Sequence, residues 1–151
     1  MNSSKDLNKL VDDIYESIAP LSEGKNLNLP EDLIEDFGER IKSAITNWSK
    51  PKEQTRGLRM SNIGRPARQL WYDSRNDNTN SIPSATQIKF LYGHILEELL
   101  LLLVKLSGHE LSDEQKEVEV DGIKGHMDCK IDGEVVDIKS ASNFAFKKFK
   151  D

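Results

Sequence analysis

Cysteine is all but absent from this chain of 151 residues: Cys129 stands alone. One thiol forms no intramolecular disulfide, and it builds no cysteine-ligated zinc or iron–sulfur site within one chain. Long apolar runs are absent too. The longest, Leu99 to Val104, has six residues, against the roughly 18–20 that span a bilayer. The N-terminal Met-Asn-Ser-Ser-Lys-Asp lacks the apolar core of a secretory signal, so a reducing, cytoplasmic setting is expected. The Gly-x-x-x-x-Gly-Lys-Ser/Thr loop is missing, which argues against a nucleotide-triphosphate motor. There is no internal repeat and no long low-complexity tract. What is present is 36% hydrophobic and 31% charged residues, a balance that suits a globular chain with a modest core.

Net charge is −5, but its distribution is uneven. Residues 1–48 carry five basic and ten acidic side chains, and residues 76–151 carry nine and fourteen. Between them, residues 49–75 carry seven basic side chains (Lys50, Lys52, Arg56, Arg59, Arg65, Arg68, Arg75) against two acidic ones, Glu53 and Asp73. Local fields, not net charge, decide where a phosphate backbone docks. This arginine-rich segment, joined by Trp48 and Trp71, is the expected nucleic-acid face; a solvated loop is the alternative.

Helical periodicity over 4–19 (Leu7, Leu10, Val11, Ile14, Ile18) predicts an amphipathic helix capped by Ser3 or Ser4 and ended by Pro20 and Gly24. A second helix starts after Pro30, with Glu31 and Asp32 in its first turn and Leu33, Ile34, Phe37, Ile41, Ile45 and Trp48 on its apolar face. A third begins near Pro66, after which residues 76–83 read as a polar loop. A long helix is predicted from Ser84 to Ser107, stopped by Gly108, with Leu99–Val104 buried on most sides. Then the period falls to two. Residues 114–121, 123–131 and 134–140 read as an antiparallel three-stranded meander, turned at Asp121-Gly122 and Asp132-Gly133. The tail, Asn143 to Lys150, is expected to start a further helix. The fold class is thus α/β in the α+β sense, with a helical N-terminal region over 1–55 and a core over 56–151.

The densest chemistry lies in Gly125-His-Met-Asp128 and Val135-Val-Asp-Ile-Lys-Ser140. Side chains at i and i+2 on a strand share a face, so Asp137 and Lys139 point one way, Val136 and Ile138 the other. Pairing through the Asp132-Gly133 turn brings Asp128 toward the polar face. Two hard oxygen ligands beside an amine suit phosphodiester hydrolysis by a metal-activated water. Lys139 can orient that water, lower its pKa or stabilise phosphorane-like charge. Glu97 and Glu98 sit on an otherwise apolar helix, where an unpaired carboxylate is costly. Glu97 is the better candidate for a metal or water ligand, Glu98 the alternative, since adjacent helical residues diverge by about 100°. His94 and His126 flank the proposed ligands and can reach the site, whereas His109 has no such neighbour. An EF-hand is rejected, because loop positions 3 and 12 counted from Asp128 are Lys130 and Lys139.

Together these residues resemble the PD-(D/E)xK nuclease superfamily, most closely its phage-exonuclease and RecB-like branch, which includes the lambda-type exonucleases. Gly93-His-Ile-Leu-Glu97 is similar to the family's helical Gly-x-x-x-Glu, Gly125-His-Met-Asp128 to its Gly-x-x-Asp strand, and Asp137-Ile-Lys139 to its (D/E)-x-K strand. The resemblance covers roughly residues 59–150, and Arg59-Met-Ser61 through Arg65-Pro-Ala-Arg68-Gln-Leu-Trp-Tyr looks like the family's substrate-side motif. It implies a restriction-endonuclease-like core that holds magnesium or manganese, as one ion or two, on Glu97, Asp128, Asp137 and the Ile138 carbonyl. Lys139 would act on the water, Ser140 would stand beside the site, and no iron–sulfur cluster would be present. Arg59, Ser61, Arg65 and Arg68 would bind DNA, the arginines on phosphates such as a terminal 5′-phosphate. Core packing is the expected role of Trp71 and Tyr72, and stacking on a base the alternative.

The implied activity is metal-dependent exonucleolysis of linear duplex or single-stranded ends in phage-type DNA recombination or degradation, in the host cytoplasm if phage-encoded. A single-strand annealing protein is an implied partner. A structure-specific or restriction-type endonuclease, or a non-catalytic DNA-binding module, is the alternative. Family members continue past the lysine with a helix bearing Gln-x-x-x-Tyr and further strands, and nothing of that kind follows Lys139. The chain is therefore expected to be a truncated portion of a longer nuclease, with a minimal or inactive relative as the alternative.

Overall fold

The computed structural model describes residues 5–51, 58–76, 81–141 and 146–147. Four α-helices precede five short strands in an α+β arrangement: α1 (Leu10–Ser22), α2 (Glu31–Trp48), α3 (Ala67–Arg75), α4 (Ser84–Leu106), β1 (Leu111–Ser112), β2 (Glu117–Val120), β3 (Ile123–His126), β4 (Cys129–Ile131) and β5 (Glu134–Val136). Among the described residues no helix is long and apolar enough to cross a membrane. The predicted cap at Ser3 or Ser4, the 55/56 boundary and most of the predicted tail helix lie outside the described residues, as do Lys52, Glu53 and Arg56 of the basic segment.

Asp6 begins the first helical segment instead. Its carboxylate accepts from the Asn8 N–H at 3.0 Å and caps a 3-10 turn, Leu7–Lys9, that leads into α1. α1 runs two residues past Pro20 to Ser22, so the predicted stop at that proline is corrected. Proline forfeits only its own N–H, and its carbonyl still accepts from Glu23 and Lys25. α2 begins where expected, behind Pro30.

The central element is α4, against which both α1 and α2 pack. Its C-terminus closes in a Schellman arrangement. Gly108 takes φ 79°, its N–H donates to Lys105 O at 3.0 Å, and the His109 N–H donates to Val104 O at 3.2 Å. Leu101 and Val104 are buried, yet Leu99 and Leu100 are exposed at 39% and 42%. The expectation of burial on most sides is therefore wrong. α1, α2 and the sheet cover only part of the helix circumference.

The predicted three-stranded meander is in fact two sheets. β2 and β3 form a separate hairpin, and β1-β4-β5 form a three-stranded antiparallel sheet. Both Asp-Gly turns stand as read. Asp121 and Gly122, then Asp132 and Gly133, all adopt positive φ, as a two-residue type I′ turn requires. The predicted strand 123–131 breaks at Met127-Asp128. There the backbone turns aside to pair with the β1–β2 connection: Gln115 N–H donates to Asp128 O at 2.8 Å, and Met127 N–H to Lys116 O at 3.1 Å. Residues 114–116, read as strand, form that connection, and Gln115 takes φ 49°.

The core lies between α4, α1 and the three-stranded sheet. Leu101, Val104, Cys129 and Ile131 are its buried apolar members, with Leu7, Leu10, Ile14, Leu111, Val136 and Ile138 packed around them. Burial pushes the Cys129 thiol pKa up to about 11, with Asp128, Glu114 and Glu97 adding to the rise. At the edge of this core the enclosed His109 ring meets Asp132 through Nδ1 at 2.5 Å and Asp13 through Nε2 at 3.1 Å. That pairing pins α1 and the β4–β5 turn to the end of α4.

Candidate active site

The site grows from three backbone decisions. α4 carries Glu97 and Glu98 one turn ahead of its first buried residue, Leu101. The break at Met127-Asp128 puts Asp128 at the junction of the two sheets. Beyond it, β5 ends at Val136, not at residue 140 as predicted. The ladder stops because its partner strand has turned away, and the Asp128 side chain takes over: its Oδ2 accepts from the Ile138 N–H at 2.7 Å. The alternation nonetheless persists. Val136 and Ile138 pack on the core, whereas Asp137 and Lys139 are exposed and form an ion pair with each other. Asp137 and Lys139 share a face, as read.

Glu97 is held from the other side. Its Oε1 accepts from Gln115 Nε2 at 2.9 Å. Its pKa lies above the usual glutamate value, chiefly through burial, then through Asp128 and Glu98, with a smaller push from Asp137; the Gln115 hydrogen bond opposes the rise. The carboxylates of Glu97, Asp128 and Asp137 therefore share one electrostatic environment. Their donor chemistry, oxygen throughout, suits magnesium or manganese. Among the described residues, however, no three histidine, cysteine, aspartate or glutamate side chains converge as a ready-made metal group. Asp128 has one oxygen engaged by Ile138, and Asp137 is drawn to Lys139.

Glu97, Glu98 and Asp128 open onto a cleft of about 570 Å³, lined on the α4 side also by His94 and on the connection by Gln115. His94 Nδ1 lies 4.0 Å from Glu97 Oε2. The opposite wall is α2, through Arg40, Ser43, Ala44, Asn47 and Trp48. Arg40 ties the walls together. It makes a two-pronged pair with Glu114, with Nη2–Oε1 at 2.9 Å. It also bonds Asp36 at 2.9 Å and lies 3.5 Å from Glu98. Glu114 and Asp36 raise its pKa above the ordinary guanidinium value. Among the described residues the buried Glu98 Oε2 has no hydrogen-bond partner beyond that long approach to Arg40.

The other sequence candidates are scattered. His126 sits on β3 with Nε2 3.8 Å from Glu117; it does not line the cleft. Ser140 Oγ lies 3.8 Å from where a Cβ on Gly93 would stand, so the segment after β5 crosses α4 at that glycine. In the basic segment, Arg59 bridges to Lys124 on β3. Ser61 lies in the 3-10 turn Met60–Asn62. Arg65 approaches Asp73 at 3.8 Å, and Arg68 lies in the first turn of α3. A Cβ on Gly125 would stand 2.8 Å from Met60 Cβ, so the glycine of the Gly-x-x-Asp run is what lets the basic segment close onto β3. Trp71 and Tyr72 are exposed at 56% and 59%, which overturns the core-packing expectation. The Arg75 guanidinium stacks 4.6 Å above the Trp71 ring.

Trp48 was read from sequence as joining the nucleic-acid face, but Gln115 and the other wall residues, Arg40, Ser43, Ala44 and Asn47, were not singled out. Gln115 has no motif around it, and the α2 residues reach the site only through contacts dozens of residues apart. Comparison with known proteins adds no relative: no family model, curated protein or solved structure matches the chain.

Proposed function

We propose that this chain carries the catalytic face of a metal-dependent deoxyribonuclease with a restriction-endonuclease-like core, acting from DNA ends. The observation that carries the reading is that Glu97 and Asp128 open onto one polar cleft, that the Asp128 and Asp137 charges add to the burial that lifts the Glu97 pKa, and that the Lys139 amine pairs with Asp137. Folding does not gather like charges without compensation, and a divalent cation supplies it. Magnesium or manganese, held by Glu97, Asp128 and Asp137, would polarise the scissile phosphate and activate water.

The chain's own residues divide the remaining work. Gln115 holds Glu97 in one orientation. Asp128 keeps Oδ1 for ligation while Oδ2 fixes the backbone at Ile138. Lys139 sets a positive charge where negative charge grows on the phosphate oxygens. Arg59, Arg65 and Arg68 supply phosphate contacts along the strand.

The test is digestion of linear 5′-phosphorylated duplex DNA in magnesium or manganese, with covalently closed circles as control. Loss of the linear species alone is expected. Asp128→Asn, Asp137→Asn and Lys139→Ala should each lower the rate by roughly 100-fold or more with unchanged circular dichroism. Cleavage undiminished in all three sinks the assignment. Cutting of circles makes the chain an endonuclease, and binding without cutting makes it a non-catalytic DNA module.

A further inference from the structure

We propose that the polar stripe of α2 is the wall on which one unstacked nucleotide of the DNA substrate docks, its base on the Trp48 indole and its edge on Asn47 and Ser43. The proposal rests on the nuclease reading and adds a role for a region that carries no motif. The wall residues Arg40, Ser43, Ala44, Asn47 and Trp48 follow the spacing i, i+3, i+4, i+7, i+8, which is one face of a helix. They stand across the cleft from His94, Glu97 and Glu98 of α4.

The wall residues that remain open to a ligand, Ser43, Asn47 and Trp48, have a chemistry suited to a base rather than a phosphate. Arg40 is already committed to Glu114 and Asp36, so it acts as a strut. Trp48 donates its only polar hydrogen, Nε1–H, to Gln87 O at 2.9 Å. The indole is fixed, and what it offers a ligand is apolar ring surface. Asn47 is exposed, and its amide touches Ser43 Oγ only at 3.5 Å. The amide keeps a donor and an acceptor for a base edge. The opposite wall is acidic, with Glu97, Glu98 and Asp128; a divalent cation held there would draw the phosphate to that side and leave the uncharged base facing α2. The cleft, about 570 Å³, falls within the roughly 300–1,000 Å³ of small-ligand sites.

Trp48 and Trp71 are the only tryptophans, so the full chain carrying Trp71→Phe reports on Trp48 alone. It is titrated with a short single-stranded oligothymidylate bearing phosphorothioate linkages, in calcium. Tryptophan emission and the anisotropy of a labelled strand are followed together. Emission should change and saturate in step with binding, and an abasic strand of equal length should bind without the change. Trp48→Ala should weaken binding by roughly 5- to 100-fold, the value of one stacked base. Asn47→Ala, at an exposed position that leaves the fold intact, should weaken it several-fold. Binding with silent Trp48 emission, equal affinity for the abasic strand, or no binding overturns the wall. Magnesium-dependent cleavage by the same protein separates the two readings. Cleavage without a Trp48 response removes the wall and leaves the nuclease, whereas a Trp48 response without cleavage does the reverse.

Discussion

The two halves of α4 are built to opposite ends. Past Leu101 the helix is packed: Leu101 and Val104 are buried against Cys129 and Ile131, the last turn is closed by Gly108, and His109 is clasped by two aspartates. Before Leu101 the same helix is open. Ile88 and Tyr92 are exposed at 63% and 62%, and Glu97 and Glu98, adjacent on the helix, line the same cleft, the Glu98 charge adding to the rise in the Glu97 pKa. One rigid rod thus anchors in apolar contacts at one end and holds costly carboxylates at the other. The packed half supplies stability, and the open half draws on it to keep like charges close. That division matches the general tendency of functional groups to sit where stability alone would not place them.

The largest expected effect tests the packed half. Ile131→Ala should cost about 2–5 kcal/mol in urea unfolding, because a fully buried side chain leaves a cavity. Ile88→Ala on the open half should stay within about 0.5 kcal/mol. Similar costs at the two positions would break the comparison.

A pair of glycines sharpens it. Gly125→Ala drives a Cβ against Met60 Cβ, not merely its flexible tip, and should cost about 1–3 kcal/mol as an overpacked site. Gly93→Ala meets only Ser140 Oγ at ordinary contact distance. Within a helix that exchange should gain up to about 1 kcal/mol. The two glycines of the motif-like runs therefore differ, one required by a close approach and the other tolerant, and thermal melts of both variants measure the difference.

The smallest expected effect concerns Glu97. Its folded pKa lies above the unfolded value, so its contribution to stability is fully present below the ordinary glutamate range. That contribution is lost as pH rises through the folded pKa. Glu97→Gln removes the penalty. The variant should melt a few degrees above the parent at pH 7 and coincide with it near about pH 4, where the parent glutamate is protonated. A variant less stable than the parent at neutral pH would show that Glu97 is a structural partner, not a strained one.

What could be read in the sequence was local. Helices α2 and α4 announce themselves by prolines at their starts and by apolar spacing, and the two hairpin turns by Asp-Gly pairs that accept left-handed backbone. The three carboxylates and Lys139 were singled out because their spacing is also local. The break at Met127-Asp128 was not legible. It depends on hydrogen bonds from Gln115 and to Lys116, residues whose side chains carry no turn signal. Nor was the α2 wall, since the Arg40–Glu114 pair that locks it spans 74 positions. The over-reading of Leu99 and Leu100 as core has a similar origin, because an apolar run records what a helix could bury and not how many neighbours arrive to cover it.

Cys129 gives the molecule a built-in clock. Its side chain is fully enclosed, next in the chain to Asp128 and inside the β1-β4-β5 sheet. A thiol-directed reagent reaches it only when that sheet separates from α4, and no second cysteine competes for the label. The labelling rate in native buffer therefore counts opening events of the packed half, one molecule at a time and without a denaturant. Any ligand that grips Asp128 and favours the closed form should slow that count in proportion to its occupancy.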